Sequence, residues 1–235
     1  MHSYEITAEF YDILQATRYV QRADMILDEW LGRPLVGVLD VGAGTGLATE
    51  LLAKRCAVTV HAVEPTRSMR TVLLSRLAGR PDLLEHVRVH ARPIQDLGLQ
   101  RVADFGLCLN TMGTLDRDER AGALAALAEA LIPDATLVLQ RPPDAPGRAH
   151  AALAAWQLGG DVYSGEVTCT RSRPGAIEWR FTYRVTRDDV VIRQEIEAFD
   201  GFLVSADEFD AELDNAGFVV TDVDDHDVVI ARRIA

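Results

Sequence analysis

Residues 38–54, VLDVGAGTGLATELLAK, place three glycines within five positions, between an apolar run and a run with leucines at helical spacing. The apolar run predicts a buried strand, and the second run predicts a helix. Gly42, Gly44 and Gly46 then form the turn, because glycine tolerates positive φ and lets the backbone approach a ligand where a Cβ would intrude. In open α/β sheets such a turn lies at the ligand-binding edge, so we expect a ligand here.

The alternation of strand and helix continues to residue 140. A leading amphipathic helix is predicted from Tyr19, Ala23, Ile26 and Trp30, which recur at steps of four, three and four. Alternating strands and helices build a parallel sheet covered by helices, so the predicted fold class is α/β. The predicted elements are the helix within 7–31, strands at 35–41, 58–64, 87–91, 105–109 and 136–140, and helices at 45–54, 66–77 and 117–131.

The pattern changes after residue 140. The segment RPPDAPGR contains three prolines and a glycine in eight residues, which predicts a loop, and a short alanine-rich helix is expected after it. Three β-patterned runs follow, with a hairpin turn at Arg187, Asp188 and Asp189. The runs cover 162–170, 177–185 and 190–198.

The C-terminal part returns to helix and strand. Ser205 and Glu208 fit a capping box ahead of a helix that ends at Gly217, and residues 218–233 predict two final strands. Because no repeat or linker interrupts the chain, we expect one domain. Its parts are a helical cap (1–34), a ligand-binding core (35–140), a lid or antiparallel insertion (141–204) and a C-terminal helix with strands of the core sheet (205–235).

Charge and composition disfavour several classes of partner. The chain has 24 basic and 36 acidic residues and a formal net charge of −12, which repels nucleic acid and anionic membrane surfaces. It has neither an apolar run long enough to span a bilayer nor a secretory leader, so a cytoplasmic protein is expected. Its three cysteines are odd in number and far apart, which fits neither a disulfide framework nor a zinc site.

The acidic residue after the second predicted strand indicates the class of ligand. Glu64 follows Gly46 by 18 residues, close to where a carboxylate meets a ribose diol in nucleoside-binding α/β folds. A nucleoside cofactor is therefore expected. The turn has the spacing G-x-G-x-G, and Leu47 stands where a dinucleotide fingerprint needs its third glycine. A nicotinamide oxidoreductase is disfavoured for this reason and stays open as an alternative.

Three segments, VLDVGAGTG, VEPTRSM and ADFGLCLN, resemble the class I S-adenosylmethionine-dependent methyltransferases. The resemblance covers residues 35–140 and includes that family's reversed final strand, after Phe218. It implies a doubly wound, Rossmann-like sheet of seven mostly parallel strands with an antiparallel last strand, plus an added antiparallel hairpin or lid. It also implies S-adenosylmethionine as the cofactor and S-adenosylhomocysteine as its product.

The same resemblance suggests which residues bind the cofactor. The glycine turn is expected to contact the methionine part and Glu64 the ribose hydroxyls, with two side chains flanking the adenine. Asp40 would hold either the turn or, through water, the amino group. Pro93 stands where the family usually has an acidic residue for the adenine, so the backbone or side chains of the next three residues would substitute. The predicted set is Tyr11, Asp40, Gly42, Ala43, Gly44, Gly46, Glu64, Pro65, Met69, Ile94, Gln95, Asp96 and Leu109.

The segment after the fourth predicted strand, NTMG, bears on the acceptor. Methyltransferases of nucleic-acid bases carry Asn or Asp, two prolines and an aromatic residue here, so a small-molecule acceptor is expected. Asn110 is alternatively a simple turn residue. No metal is expected, because Asp222, Asp224, Asp225 and Asp227 lack the glycine and glutamate of a calcium loop and predict a solvated turn. The candidate acceptor residues are Asn110, Met112, His150, Trp179 and Tyr183.

The leading segment AEFYDIL resembles the small-molecule branch of the family, which includes glycine and amino-sugar N-methyltransferases and in which an aromatic residue closes over the cofactor. Tyr11 and Phe10 are the candidates, and simple packing of the helix is the alternative. Trp179 and Tyr183 would form either a lid over an apolar acceptor or an interface in a homodimer. His150 is a candidate because it follows the proline-rich loop at the active edge of the sheet.

The function predicted from these features is methyl transfer to nitrogen or oxygen of a small molecule, in secondary metabolism. Alignment of the reacting atoms in a dry pocket contributes about 7–11 kcal/mol, whereas a general base contributes about 10²–10⁴-fold. Positioning should therefore dominate, and the lack of an evident base favours an amine or an ionised oxygen. A non-methylating member of the family, acting in another reaction or as a sensor, stays open as an alternative.

Overall fold

The computed structural model describes residues 4–224 and 227–234, so Asp225 of the predicted solvated turn lies outside it. The helices are α1 (Thr7–Trp30), α2 (Leu47–Arg55), α3 (Arg67–Ala78), α4 (Pro81–Leu84), α5 (Arg117–Ala130) and α6 (Ala206–Asn215). The strands are β1 (Val38–Val41), β2 (Val60–Val63), β3 (Val87–His90), β4 (Ala103–Cys108), β5 (Leu131–Gln140), β6 (His150–Ala152), β7 (Trp156–Leu158), β8 (Asp161–Arg173), β9 (Ala176–Arg187), β10 (Val190–Phe202), β11 (Phe218–Val223) and β12 (Val228–Arg233). Short 3₁₀ turns form at Ile94–Asp96 and Met112–Thr114.

The larger sheet has seven strands in the order β11-β12-β5-β4-β1-β2-β3. β1 runs parallel to β2 and β4, with Val38 opposite both Val60 and Phe105. β12 runs antiparallel to both its neighbours, β5 and β11. The predicted Rossmann-like α/β fold with a reversed last strand is confirmed, and this strand lies between two others instead of at the edge of the sheet.

The starts of β1 and β5 differ from the sequence prediction by more than those of the other strands of the core. β1 begins at Val38 instead of residue 35, because Leu35 is 74% exposed and its amide donates a hydrogen bond to Asp104 Oδ2 at 2.7 Å. The side chain of Asp104 therefore holds this segment as an approach to the sheet. β5 begins at Leu131, directly after α5, whereas the apolar pattern indicated a start at residue 136.

The second sheet is antiparallel and consists of β6 to β10, with β10 at one edge and β6 and β7 both paired with β8. The predicted hairpin turn is present, with positive φ angles of 48° at Asp188 and 61° at Asp189. The prediction of an alanine-rich helix after the proline-rich loop is wrong. Residues 150–152 form a strand that pairs with Thr168, Val167 and Glu166 of β8, because backbone pairing along this edge overrides a weak local helix propensity.

Helix α1 packs against both sheets. Ala23, Ile26 and Leu27 are buried against the larger sheet, and Phe10 is buried against the second. Glu197 of β10 accepts hydrogen bonds from Thr7 N at 2.7 Å and Glu5 N at 3.0 Å, which satisfies amides that a helix start leaves free. Among the described residues, no helix combines the length and apolar character that crossing a bilayer requires.

Candidate functional site

The glycine turn lies where β1 ends, beside the end of β2. Gly42, Gly44 and Gly46 have positive φ angles of 76°, 56° and 85°. A Cβ on Gly42 would lie 1.9 Å from Thr111 Oγ1, and one on Gly46 would lie 2.9 Å from Leu73 Cγ, so packing inside the protein requires both glycines. A Cβ on Gly44 would meet nothing closer than 3.9 Å, so it would project into the cleft that Gly44 lines.

Glu64 follows β2 and is only 5% exposed. Its Oε2 accepts a hydrogen bond from Gly44 N at 2.8 Å, and its Oε1 accepts one from Thr66 N at 2.7 Å. Burial raises the pKa of this carboxyl, and the hydrogen bonds from the amides of Thr66 and Gly44 oppose the rise. Each oxygen keeps a second lone pair, so the fixed carboxylate can accept hydrogen bonds from two adjacent hydroxyl groups.

A polar clamp formed by Asp12, Thr45 and Arg76 joins α1 to the glycine turn. Thr45 Oγ1 donates to Asp12 Oδ1 at 2.6 Å, and Arg76 forms an ion pair with the same carboxylate. Arg76 Nε also donates to the carbonyl of Thr45 at 3.0 Å. The turn, α1 and α3 are thereby held together, which sequence reasoning missed because the three residues are far apart in the chain.

A cleft of about 770 Å³ extends from the glycine turn between the larger sheet, α1 and the second sheet. Most of the predicted cofactor residues line it, as do three of the predicted acceptor residues. The cofactor candidates in the lining are Tyr11, Gly42, Ala43, Gly44, Glu64, Pro65, Met69, Ile94, Gln95 and Leu109, and the acceptor candidates are Asn110, Met112 and Trp179.

The wall contributed by the second sheet is aromatic. Trp179 packs against Gly201, where a Cβ would lie 2.3 Å from Trp179 Cζ3. Tyr4, from the chain start, stacks on Phe199 with ring centroids 4.3 Å apart. Of this wall, sequence reasoning identified only Trp179, and the alternation of Trp179 with Phe181 was the one signal for a second member. The aromatic lining residues here are Tyr4, Trp179, Phe181, Phe199 and Phe202.

Tyr11 and Asn110 meet in the cleft and are joined by a side-chain hydrogen bond. Burial raises the pKa of Tyr11 to about 12, so its phenol stays protonated at neutral pH. Asn110 has a φ of 55°, so it is a turn residue as well as a lining residue. A neighbouring cleft of about 680 Å³ shares Tyr11, Tyr19 and Asn110 with the first.

Three aromatic or histidine candidates do not line the cleft, and these predictions are corrected. Tyr183 is fully buried, because Phe10 stacks on its ring at 4.6 Å and its hydroxyl donates to Thr7 Oγ1 at 3.0 Å. Phe10 therefore packs α1 on the second sheet, as the packing alternative described. The ring of His150 is 57% exposed and hydrogen-bonds Glu166 at 2.8 Å, away from the cleft lining.

Three cofactor candidates also lie outside the lining. Asp40 is 2% exposed and accepts a hydrogen bond from Thr49 Oγ1 at 2.6 Å, so it holds the start of α2 behind the turn. Burial, and secondarily Glu64, raise the pKa of Asp40 to about 6. Gly46 is the N-terminal cap residue of α2 and packs on Leu73, and Asp96 lies past the lining residue Gln95 in the 3₁₀ turn.

Three charged residues of the cleft lining were not predicted as site residues. Arg141, directly after β5, donates to Asp210 Oδ1 at 2.5 Å, while Asp200 and Asp227 also line the cleft. Only the position of Arg141 at a strand end could have indicated it from sequence. Within residues 4–224 and 227–234, no group of three or more His, Cys, Asp or Glu side chains is arranged to hold a metal ion.

Comparison with known proteins agrees with this architecture. Residues 38–134 match the family model described as a methyltransferase domain. No curated protein matches the chain. Residues 38–134, which hold the glycine turn and Glu64, are therefore similar to that family.

Solved structures resemble the whole chain. The amino pentose methyltransferase CalS10 from Micromonospora echinaspora, involved in calicheamicin biosynthesis, is 23% identical, with 93% of this chain and 91% of that chain covered at a TM-score of 0.70. The sugar N-methyltransferase KedS8 from Streptoalloteichus sp. is 21% identical, with 94% and 87% covered at 0.72. An S-adenosylmethionine-dependent methyltransferase from Clostridium acetobutylicum is 15% identical, with 99% of both chains covered at 0.77. The chain has the fold of the S-adenosylmethionine-dependent methyltransferases.

Proposed function

We propose that this protein transfers the methyl group of S-adenosylmethionine to the nitrogen of a small-molecule amine. The observation that carries the proposal is the cleft itself, in which an open glycine and a fixed carboxylate face a wall of aromatic rings. The side of the cleft formed by Gly44 and Glu64 suits a nucleoside. The aromatic wall suits an acceptor that becomes cationic as it is methylated.

The residues at the glycine turn fit the cofactor. The open side of Gly44 leaves room for a ligand against the backbone. Glu64 presents two carboxylate oxygens that Gly44 N and Thr66 N already orient, so a ribose diol could be bound without rearrangement of the side chain. Pro65, Met69 and Ile94 provide apolar surface for a purine ring.

The aromatic wall and the acidic residues favour an amine acceptor. Trp179, Phe181 and Phe199 offer ring faces, which attract cations by about 0.5–2 kcal/mol each. Asp200 and Asp227 add negative charge to the lining of the cleft. The formal net charge of −12 would also concentrate a cationic acceptor near the protein. An amine acceptor is also supported by the name of one structural neighbour, the sugar N-methyltransferase KedS8.

The chemical step would depend mainly on positioning. Bound S-adenosylmethionine supplies a methyl group on a sulfonium, which is already activated for in-line displacement. Tyr11 and Asn110, joined by their hydrogen bond, would fix the acceptor at the junction of the two walls, and the aromatic rings would exclude water. A neutral amine needs no base at the moment of attack, so correct alignment can supply about 7–11 kcal/mol without proton transfer.

We also propose how the parts of the chain cooperate in a single domain. Residues 35–140 would bind the cofactor, residues 1–34 and 141–204 would close over the acceptor, and residues 205–235 would complete the larger sheet. A cytoplasmic enzyme of secondary metabolism fits this organisation, and the role of CalS10 in calicheamicin biosynthesis supports the pathway class.

The test combines binding and turnover. Isothermal titration calorimetry should detect S-adenosylhomocysteine binding to the wild-type protein, and Glu64→Ala should weaken it by about 100-fold, the loss of two charge-assisted hydrogen bonds. A panel of amino sugars and small amines, followed by mass spectrometry, should then give products heavier by one methyl group. Absence of binding contradicts the cofactor assignment, whereas binding with methylation of hydroxyls alone contradicts the amine assignment.

A further inference from the structure

Exposed apolar side chains cluster on the second sheet, at the end that carries the β9–β10 turn. Val162 and Val191 share one face of this sheet, because the strand register sets Val162 opposite Thr186, which in turn lies opposite Val191. A contiguous apolar surface on a soluble protein marks an interaction site. The apolar cluster on this face consists of Val162, Val191 and Ile192, which are between 37% and 51% exposed. Trp156, Leu158 and Val190 are also exposed, but they lie on the opposite face.

Strand β10 forms the edge of this sheet. Within the part of the chain that the structure describes, it pairs with β9 alone. Its charged residues alternate onto the face toward α1, where Arg193 pairs with Glu9 and Glu197 binds the start of α1. The opposite face of β10 is exposed and has no charged side chain. Charged side chains commonly protect an edge strand from pairing with another chain, and this face lacks that protection. The residues of that face are Val191, Ile192, Gln194, Ile196 and Ala198.

The central segment of β10, residues 192–196, is complementary to itself when reversed. If two copies pair antiparallel about a two-fold axis at Gln194, Ile192 of one copy lies opposite Ile196 of the other. The same register sets Arg193 opposite Glu195 on the other face of the ribbon. Opposite residues of an antiparallel pair share a face, so the apolar and the charged pairs are matched together.

We propose that β10 is the interface of a homodimer, in which the second sheets of two copies join edge to edge about Gln194. A two-fold axis requires one self-complementary patch, and this strand provides it. The adjoining apolar cluster would enlarge the contact. The far end of β10 carries Phe199 and Phe202 of the aromatic wall, so the dimer would also stiffen the wall that faces the cofactor.

Disulfide cross-linking tests the register directly. Gln194→Cys would bring two thiols together at the axis, where opposite Cα atoms lie about 4.5–5.5 Å apart, within the range of a disulfide. Ala198→Cys is the matched control, because it lies on the same strand and face but its two copies would be roughly 27 Å apart. The native Cys56, Cys108 and Cys169 are buried and do not compete. Oxidised dimers are expected for Gln194→Cys only, and equal cross-linking of both variants overturns the register.

Solution mass tests the interface itself. Size-exclusion chromatography with light scattering should give twice the mass of the chain for the wild-type protein at micromolar concentration. Ile196→Lys should shift it to the monomer, because a lysine would face the apolar side chain of the other copy. Leu74→Lys, at a side chain of similar exposure on α3, should remain dimeric. A monomeric wild-type protein, or a dimer that Ile196→Lys leaves intact, overturns the proposal.

Discussion

The two walls of the cleft are built in different ways. We call the glycine turn with Glu64 the cofactor wall and the aromatic rings of the second sheet the acceptor wall, after the ligands proposed for them. The cofactor wall is local in sequence: Gly44 N and the Glu64 carboxylate that it contacts are separated by 20 positions, with one strand and one helix between them. The acceptor wall depends on long-range contacts, since Glu197 binds Thr7 N across 190 positions and Tyr183 reaches Thr7 across 176. The first wall needs little besides the backbone, whereas the second needs the docking of α1 on a second sheet.

This difference has a consequence for function. Backbone groups and a fixed carboxylate can bind a part that every member of a class shares, such as a nucleoside. Aromatic side chains from separate elements can be exchanged without changing the sheet, so they are suited to determine which acceptor binds. Substitutions in the two walls should therefore separate cofactor affinity from acceptor affinity.

The largest expected effect is on the cofactor wall. Gly44→Ala should weaken S-adenosylhomocysteine binding by about 100-fold, because the new Cβ would project into the cleft and overpacking costs about 1–3 kcal/mol. Calorimetry measures the dissociation constant. Gly32→Ala is the control: Gly32 has nearly the same φ, 57° against 56°, also has open space around it and lies outside the cleft. Equal losses of affinity in the two variants would place the ligand elsewhere.

On the acceptor wall, Trp179→Ala should raise the acceptor KM by about 30-fold, because loss of a large aromatic contact costs about 2 kcal/mol. The dissociation constant of S-adenosylhomocysteine should stay within about twofold of the wild-type value, since both walls bind their ligands separately. Trp179→Phe keeps a ring and should recover most of the affinity. Steady-state kinetics checks this, and a parallel loss of cofactor binding would indicate that Trp179 only supports packing.

The clamp connects the two walls, so its removal should affect both by a smaller amount. Asp12→Ala deletes the hydrogen bond from Thr45 and the ion pair with Arg76, both partly buried, which corresponds to about 1–2 kcal/mol or about 5–30-fold in kcat/KM. Asp28→Ala is the matched control, because Asp28 also lies on α1 and pairs with Arg55 at 2.6 Å, but on the surface. If both variants retained full activity, the clamp would have no part in positioning α1.

The sequence was sufficient to predict that the glycine turn and Glu64 lie together at one edge of the sheet. The turn glycines and Glu64, each directly after a buried strand, follow from apolar periodicity and from the conformations that only glycine adopts readily. These signals are local, because each concerns residues within one strand-turn-helix unit or the next strand. The sheet register then brings Gly42 and Val63 together, as the hydrogen bond from Gly42 N to the Val63 carbonyl at 2.9 Å shows.

The acceptor wall could be predicted only in part. The alternation of Trp179, Phe181 and Tyr183 correctly predicted one shared face of a strand. It could not indicate that Phe10 covers the Tyr183 end of this face, which leaves only the Trp179 end in the cleft lining. The prediction that His150 lies near the acceptor is wrong for a related reason. The strand that carries His150 pairs with β8, and this long-range contact fixes the His150 ring beside Glu166.

Buried and exposed carboxyl groups in the two regions should differ in how they affect stability, without a direct effect on ligand affinity. Burial raises the pKa of Asp40 to about 6, so the folded state binds its proton more tightly than the unfolded chain. The contribution of Asp40 to the free energy of unfolding is fully present below the pKa of the group in the unfolded chain, near 4. This contribution is lost as the pH rises through the pKa in the folded protein, about 6. Asp40→Asn, which can still accept from Thr49, should therefore be more stable than wild type above pH 7, by about 1–3 kcal/mol. The difference should vanish toward pH 4.

Asp161, on the second sheet, should show the opposite sign. The hydrogen bond from Arg187 lowers the pKa of Asp161, so its stabilisation is present above the unfolded pKa and is lost as pH falls. Asp161→Asn should thus be slightly less stable than wild type at pH 7 and equal to it in acid. Urea unfolding between pH 4 and 8 measures both variants. Curves of the same sign would mean that burial does not raise the pKa of Asp40 in the folded protein.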